Sequence, residues 1–175
     1  MPNQTINNIL ERRSIRQYDS KQIKESDLDL ILKSGTYAPS ARGLQSPVII
    51  AIQDKRVIKE LSKINAEIYK KETDPFFGAP TIVLVIANKE SNSAIKDGSL
   101  VLGNMMLAAH SLGLGTCWIN RADEQMSYDY VQKMLETIGI NYTDYIGVGH
   151  ITIGYPKGEV RKASPRKENY IYKIV

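Results

Sequence analysis

The sequence is poor in the residues from which many active sites are built: its 175 residues include one cysteine, Cys117, and two histidines, His110 and His150. A lone cysteine can neither close an internal disulfide nor by itself supply a zinc site, so the chain suits a reducing compartment and a cytoplasmic location is expected. No H-E-x-x-H or C-x-x-C pattern occurs, and no metal site is expected. His110 lies in an apolar helical pattern and reads as a hydrogen-bonded core imidazole. Cys117 lies in an apolar strand pattern with no basic neighbour in sequence and reads as an inert buried thiol. Long apolar runs are missing as well. The longest, Ile82 to Ala87, falls far short of the roughly 20 residues a bilayer helix needs, and the polar N-terminus carries no signal-peptide core, so neither membrane insertion nor secretion is expected. Nucleotide loops are absent too: no G-x-G-x-x-G follows a strand pattern and no G-x-x-x-x-G-K-[ST] occurs. Gly113-Leu114-Gly115 follows a helix and precedes a strand, the wrong order for a Rossmann turn.

What is present describes a folded chain. Apolar residues make up 42%, about 49% with the glycines, within the globular range. The length suits one compact unit over residues 1–175, with residues 157–175 as a basic C-terminal arm. The net charge of +4 is small but concentrated: residues 157–175 hold six basic and two acidic residues, so the rest of the chain sums to zero. A second basic island, Arg12, Arg13, Arg16, Lys21 and Lys24, lies near the N-terminus. Solvated surface charge explains lysines well. Clustered arginines beside a hydroxyl, Ser14, point instead to bidentate recognition of phosphate. The arm's aromatic content is slight beyond Tyr170 and Tyr172, so no nucleic-acid partner is expected.

Hydrophobic periodicity gives the elements. Asn3 or Thr5 caps a short helix with Ile6, Ile9 and Leu10 on its apolar face. Ser26 opens a second helix that Gly35 closes as a left-handed cap. A Pro/Gly loop, Thr36 to Pro47, leads to a strand, Val48 to Ile52, and Asp54 caps a helix running to Ile68. Thr81 to Ala87 is apolar throughout after its threonine, the pattern of a strand buried on both faces. Ala94 to Leu112 is a helix apolar almost all round, which requires burial inside the domain or against a second subunit. A short strand, Thr116 to Ile119, a helix capped by Asp123 and stopped by Gly139, and a last strand, Ile146 to Ile153, complete an α+β, three-layer arrangement. With arginines to hold an anion but no evident acid, base or nucleophile, the chemistry is expected to come from a cofactor.

Six segments, in order, carry a resemblance: Arg12-Arg13-Ser14-Ile15-Arg16-Gln17-Tyr18, Ala38-Pro39-Ser40-Ala41-Arg42-Gly43-Leu44-Gln45, Gly78-Ala79-Pro80, Leu107 to Ile119 (LAAHSLGLGTCWI), Gly154-Tyr155-Pro156 and Pro165-Arg166-Lys167. Together they resemble the FMN-dependent nitroreductase family, nearly end to end. The resemblance implies a three-layer α+β sandwich, a mixed antiparallel sheet flanked by helices, and a homodimer with FMN at the subunit interface. It implies that Arg12, Arg13 and Ser14 hold the FMN phosphate and ribityl chain, that Arg16 reaches the N1 and O2 side of the flavin, and that Arg166 and Lys167 close on the same phosphate. Pro39, Ser40, Ala41 and Gln45 would arrive from the other subunit, and Trp118, Ile119 and Asn120 would lie near the ring and N5. The implied cycle is ping-pong: NADH or NADPH delivers hydride to flavin N5, and a nitroaromatic, quinone or similar small acceptor then takes two electrons. The protein would contribute no catalytic side chain of its own. Family members commonly carry Asn where this chain has Gly43 after Arg42, which leaves substrate preference open. A flavin-dependent dehalogenase and a non-enzymatic FMN-binding or redox partner protein are the alternatives on the same fold.

Overall fold

The computed structural model describes residues 3–175. Four strands form one sheet in the order β1-β2-β4-β3, with β1 spanning Pro47–Ile52, β2 Thr81–Asn88, β3 Gly115–Ile119 and β4 Tyr145–Gly154. Every strand pairing is antiparallel, with a register shift between Val85 and Ile86 of β2 against β4. The pleat sends alternate residues to opposite faces. Ile82, Leu84 and Ile86 pack with Leu61, Ile64, Val131 and Leu135, which belong to α3 (Lys55–Tyr69) and α6 (Asp129–Thr137). Val83 and Val85 pack on the other side with Leu28, Ile31, Leu102 and Met105, from α2 (Glu25–Thr36) and α4 (Ala94–Ser111). The result is the expected sandwich of helices, sheet and helices, and β2 is buried on both faces as its unbroken apolar run requires.

Two caps match their residues. Asn3 accepts from the Ile6 amide at the start of α1 (Gln4–Glu11), and Asp54 accepts from Arg56 and Val57 at the start of α3. Gly113, at φ 76°, gives α4 its left-handed exit, and the Leu114 amide returns to the Ala109 carbonyl. Three expectations need correction. The second helix starts earlier than Ser26 indicates: Lys24 is its N-cap residue, and Ser26 is already its second residue. Gly35 is not a cap but an interior residue of α2, where a Cβ would come within 2.9 Å of Ile49 and Met105. Its missing side chain lets α2 close onto α4 and β1. The helix expected from Asp123 to Ile138 is broken in two, α5 (Ala122–Gln125) and α6. Asp123 sits inside α5, and its carboxylate accepts from the Gly147 amide of β4 rather than capping a helix.

The N-terminal segment after α1 is strapped along the sheet edge. Ser14 bridges Thr116 in parallel and Tyr18 bridges Pro156, with the Ile15 amide donating to the Thr116 carbonyl and the Lys157 amide to the Gln17 carbonyl. The strap fits because β3 begins with glycine: a Cβ on Gly115 would lie 2.7 Å from Ile15. Tyr18 pins the far end, its hydroxyl 2.7 Å from the Ile15 carbonyl and 2.6 Å from Thr152 Oγ1.

Candidate active site

The strap places both its basic residues and the end of β3 on one edge of the sheet. Beneath it opens the roomiest of the described cavities, about 530 Å³, lined by Arg16, Trp118, Ile119 and Asn120 from the expected site, by Cys117, read from the sequence as an inert thiol, and by Tyr69, Lys71, Asp74, Phe77 and Arg121, which sequence reasoning had not named. That volume is in the range of a cofactor or substrate pocket. The rim is held in place locally. Trp118 Nε1 donates to Asn120 Oδ1 at 2.8 Å, and the Asn120 carbonyl accepts from Asn65 Nδ2 at 2.9 Å. Asn65 is fully buried and shares a contact with Gln125, whose own amide donates to the Leu61 carbonyl. Cys117 is buried and free. Burial raises its thiol pKa while Arg16 opposes the rise, so it remains protonated and unreactive, as its strand setting suggested.

The strap's arginines differ in their tasks. Arg13 Nη1 donates to the Leu10 and Arg12 carbonyls and so ties off the end of α1. Yet Arg12 Nη1 and Arg13 Nε are buried without a hydrogen-bond partner. A guanidinium nitrogen withdrawn from water in this way is costly unless something anionic meets it, so the donor set fits a phosphate. Ser14 and Arg16 line a neighbouring cavity of about 200 Å³ with Pro156 and residues 157–161. The two chain termini therefore meet, but at 14–17 and 156–161. Arg166 donates to the Ser164 carbonyl and Lys167 lies over its own neighbour Tyr170; within one protomer neither lines a cavity with Arg12 or Arg13.

The loop residues lie elsewhere. Pro39, Ser40 and Gln45 line a separate cavity of about 260 Å³ with Gly35 and Val101. Ser40 Oγ accepts from the Gln45 amide, and the Ala41 amide donates to both oxygens of buried Asp97 at the start of α4. This loop feeds β1, one edge of the sheet, whereas Trp118 to Asn120 end β3, the other. Three strand spacings, roughly 14 Å, separate them within a protomer.

The core imidazole is His150 rather than His110, for which that place was expected. His110 is half-buried near Arg12 and Arg13, in a cavity with Arg13, and its pKa is lowered by burial and then by Arg12. His150 is the core imidazole: fully buried on β4 against Phe76, with neither ring nitrogen hydrogen-bonded. Its pKa is pushed down to about 3, by burial and secondarily by Arg121. No cluster of metal-ligating residues occurs among the described residues, and no described helix is long and apolar enough to cross a membrane.

This strapped sheet with a cation-rimmed edge cleft belongs to a known class. The nitroreductase family model matches residues 9–155, and the chain belongs to the nitroreductase family. Among solved structures it is similar to a nitroreductase with bound FMN from Bacteroides fragilis, at 29% identity and a TM-score of 0.89, with 99% of this chain and 100% of that chain covered. It is 27% identical over 152 residues to an FMN reductase (NADPH) of Bacillus subtilis, covering 77% of this chain and 60% of that protein's length. The fold is shared at 18% identity and a TM-score of 0.78 with an iodotyrosine deiodinase bound to FMN and 3-iodo-L-tyrosine, over 98% of this chain and 100% of that one.

Proposed function

We propose that the protein is an NAD(P)H-dependent FMN oxidoreductase of the nitroreductase type, reducing nitroaromatics, quinones or similar small acceptors. The observation that carries the reading is the strap itself: it begins with partnerless buried guanidinium nitrogens of Arg12 and Arg13 and runs on to Arg16, which lines a cleft of about 530 Å³ together with Trp118, Ile119 and Asn120. In this reading Arg12, Arg13 and Ser14 hold the FMN phosphate, each charge-assisted hydrogen bond contributing about 1.5–3 kcal/mol. Arg16 stands at the cleft wall, where its charge favours an anionic reduced ring. FMN, when bound, supplies the two-electron chemistry that the side chains lack. The chain's own residues bind, orient and polarise. Donor and acceptor would use the one cleft in turn, the requirement for a ping-pong order.

The working form is a homodimer, and two observations support it. The protomer exposes 11413 Å², where a compact monomer of 19.6 kDa would expose about 8,600 Å². Much of the exposed surface is apolar: Ile95 (61% exposed) and Leu100 (47%) of α4, the helix expected at the interface, and also Ile9 (49%) and Leu10 (61%) of α1 and Tyr170, Ile171, Tyr172, Ile174 and Val175 of the arm. The opposite-edge placement of the two half-sites adds a geometric reason. Pro39, Ser40, Ala41 and Gln45 can reach a flavin at Trp118 only from a second subunit, and Arg166 and Lys167 can reach its phosphate by the same crossing.

The visible spectrum of the purified protein tests the proposal. A flavin absorbance that bleaches on anaerobic addition of NADH or NADPH, and returns on addition of a nitroaromatic, is the expected result. A colourless protein that takes up no FMN would end it, and flavin that neither nicotinamide reduces would favour the non-enzymatic reading. Halide release from halogenated phenols, with nitroaromatics left unreduced, would favour the dehalogenating one.

A further inference from the structure

Besides Arg16, the cleft gathers positive charge from Lys71 and Arg121 that the proposed flavin site does not use. Lys71 Nζ lies 4.6 Å and the Arg121 guanidinium carbon 4.3 Å from the centre of one aromatic ring, that of Tyr69. Two like charges against one ring repel each other, and an acid between them would normally relieve the repulsion. None does: the ion pairs among the described residues are Arg56 with Asp54 and Lys63 with Glu60. Asp74, in the same cleft, is spent on its own turn, accepting from Ser62 Oγ and from the amides of Phe76 and Gly78.

Arg121 is, moreover, fixed rather than loosely solvated. Its backbone is left-handed, φ 74°, a conformation that non-glycine residues adopt at a cost. Its Nε donates at 3.0 Å to Oδ1 of Asn65, which is fully buried. With Nε so held and the guanidinium carbon over the Tyr69 ring, the terminal guanidinium nitrogens keep their donors, and no hydrogen bond occupies them among the described residues. A planar fork held still in a cleft is suited to a carboxylate or phosphate, since little freedom is lost when the anion arrives.

We propose that Arg121, anchored through Asn65, and Lys71, both set on Tyr69, form an anion subsite that selects substrates carrying a carboxylate or phosphate group for the cleft. The inference rests on the oxidoreductase reading for what is reacted, but its recognition chemistry can be measured separately. The anion can belong to the acceptor or to the additional phosphate that distinguishes NADPH from NADH.

The FMN-loaded enzyme and its Arg121→Gln and Lys71→Gln variants are to be assayed with 4-nitrobenzoate and 4-nitrobenzamide, acceptors of similar shape and different charge. The expected result is a fall of about tenfold or more in the ratio of their kcat/KM values for Arg121→Gln, with partial recovery in Arg121→Lys. Reduction of the bound flavin by NADPH and by NADH forms the second arm. A fall confined to the NADPH to NADH ratio supports the subsite and assigns the anion to the donor. Quenching of Trp118, the single tryptophan, by benzoate in preference to benzamide reads the same selectivity without turnover, and it should weaken in both charge-neutralised variants. Unchanged ratios in both arms overturn the proposal. So does an equal loss for every substrate accompanied by a shifted flavin midpoint potential, which would put Arg121 against the flavin instead. A protein that shows benzoate-selective quenching but no flavin reduction would refute the oxidoreductase reading while leaving the subsite in place.

Discussion

The two faces of the sheet are finished to different degrees. On one, α3, α5 and α6 close over Ile82, Leu84 and Ile86, and even the polar residues beneath them are enclosed: Asn65 and Gln125 satisfy each other, Leu61 and the cleft rim, and His150 is sealed against Phe76. On the other, α2 and α4 cover Val83 and Val85 well, but the outer surface of α4 and all of α1's apolar face remain open. An all-round apolar helix is stable in water only when something covers both sides. The closed face therefore stabilises the single chain, and the open face is the one the proposed dimer would cover. The candidate site lies where the two meet, at the β3 edge.

The sharpest way to break this contrast is to charge the open face. Leu100 is 47% exposed in the protomer, so Leu100→Glu should leave the fold intact, while a buried unpaired carboxylate in an interface costs several kcal/mol. The expected outcome is a monomer at micromolar concentration in sedimentation velocity, with the visible flavin absorbance lost on gel filtration. A stable yellow dimer would show that α4 does not form the interface. Next in size is Arg12→Ala. Its guanidinium has one buried nitrogen without a partner, and loss of a charge-assisted contact to phosphate should weaken FMN binding about 10- to 100-fold, measured by quenching of flavin fluorescence on titration into the apoprotein. An unaltered affinity would make the strap a structural device alone.

Much of this arrangement could be read in the residues, and the failures have physical causes. The apolar run at Ile82 to Ala87 announced a central strand because burial on both faces leaves no room for alternation, and β2 is that strand. Leu107 to Ile119, with Gly113 at its turn, gave the α4 to β3 junction correctly because a left-handed exit leaves a clear glycine signature. Gly35 misled for the opposite reason: a glycine kept for close helix packing looks, in sequence, like one kept for its φ. Asp123 misled because its carboxylate serves a strand amide 24 residues away, which no local capping rule detects. Of the cleft, the β3 half was legible as Trp118, Ile119 and Asn120. Tyr69, Lys71 and Arg121 were not, since they converge only when α3 and α5 dock on the same face.

The closed face can be examined through its pH dependence. His150 keeps a folded pKa of about 3 against the ordinary 6.5 because burial excludes the charged form. Above pH 6.5 the imidazole is neutral in both states and has no influence. Between 6.5 and 3 the unfolded chain binds a proton that the folded chain does not, so stability falls as the pH falls, by about 1.4 kcal/mol per unit from this group. At pH 5 the loss should be about 2 kcal/mol. His150→Leu, which also removes two ring nitrogens without partners, should flatten that limb of urea denaturation midpoints taken from pH 7 to 5. An equally steep limb in the variant would show that water reaches the imidazole and that this face is less sealed than its packing implies.

The smallest effect is the most discriminating at the seam between the faces. Arg16 is exposed on the strap, its guanidinium carbon 6.0 Å from the centre of the Phe77 ring, and it lines the cleft with Trp118 and Asn120. Water screens such a charge, so its hold on an anionic reduced flavin should be modest, on the order of 1 kcal/mol. For a two-electron couple that corresponds to a midpoint potential about 20 mV lower in Arg16→Ala, read by spectroelectrochemical titration. FMN affinity should change less than in Arg12→Ala, because Arg16 is assigned to the ring and Arg12 to the phosphate. A midpoint unchanged in Arg16→Ala but lowered in Arg121→Gln would move the electrostatic control of the flavin from the strap to the closed face, reversing the division of labour between the two walls of the cleft.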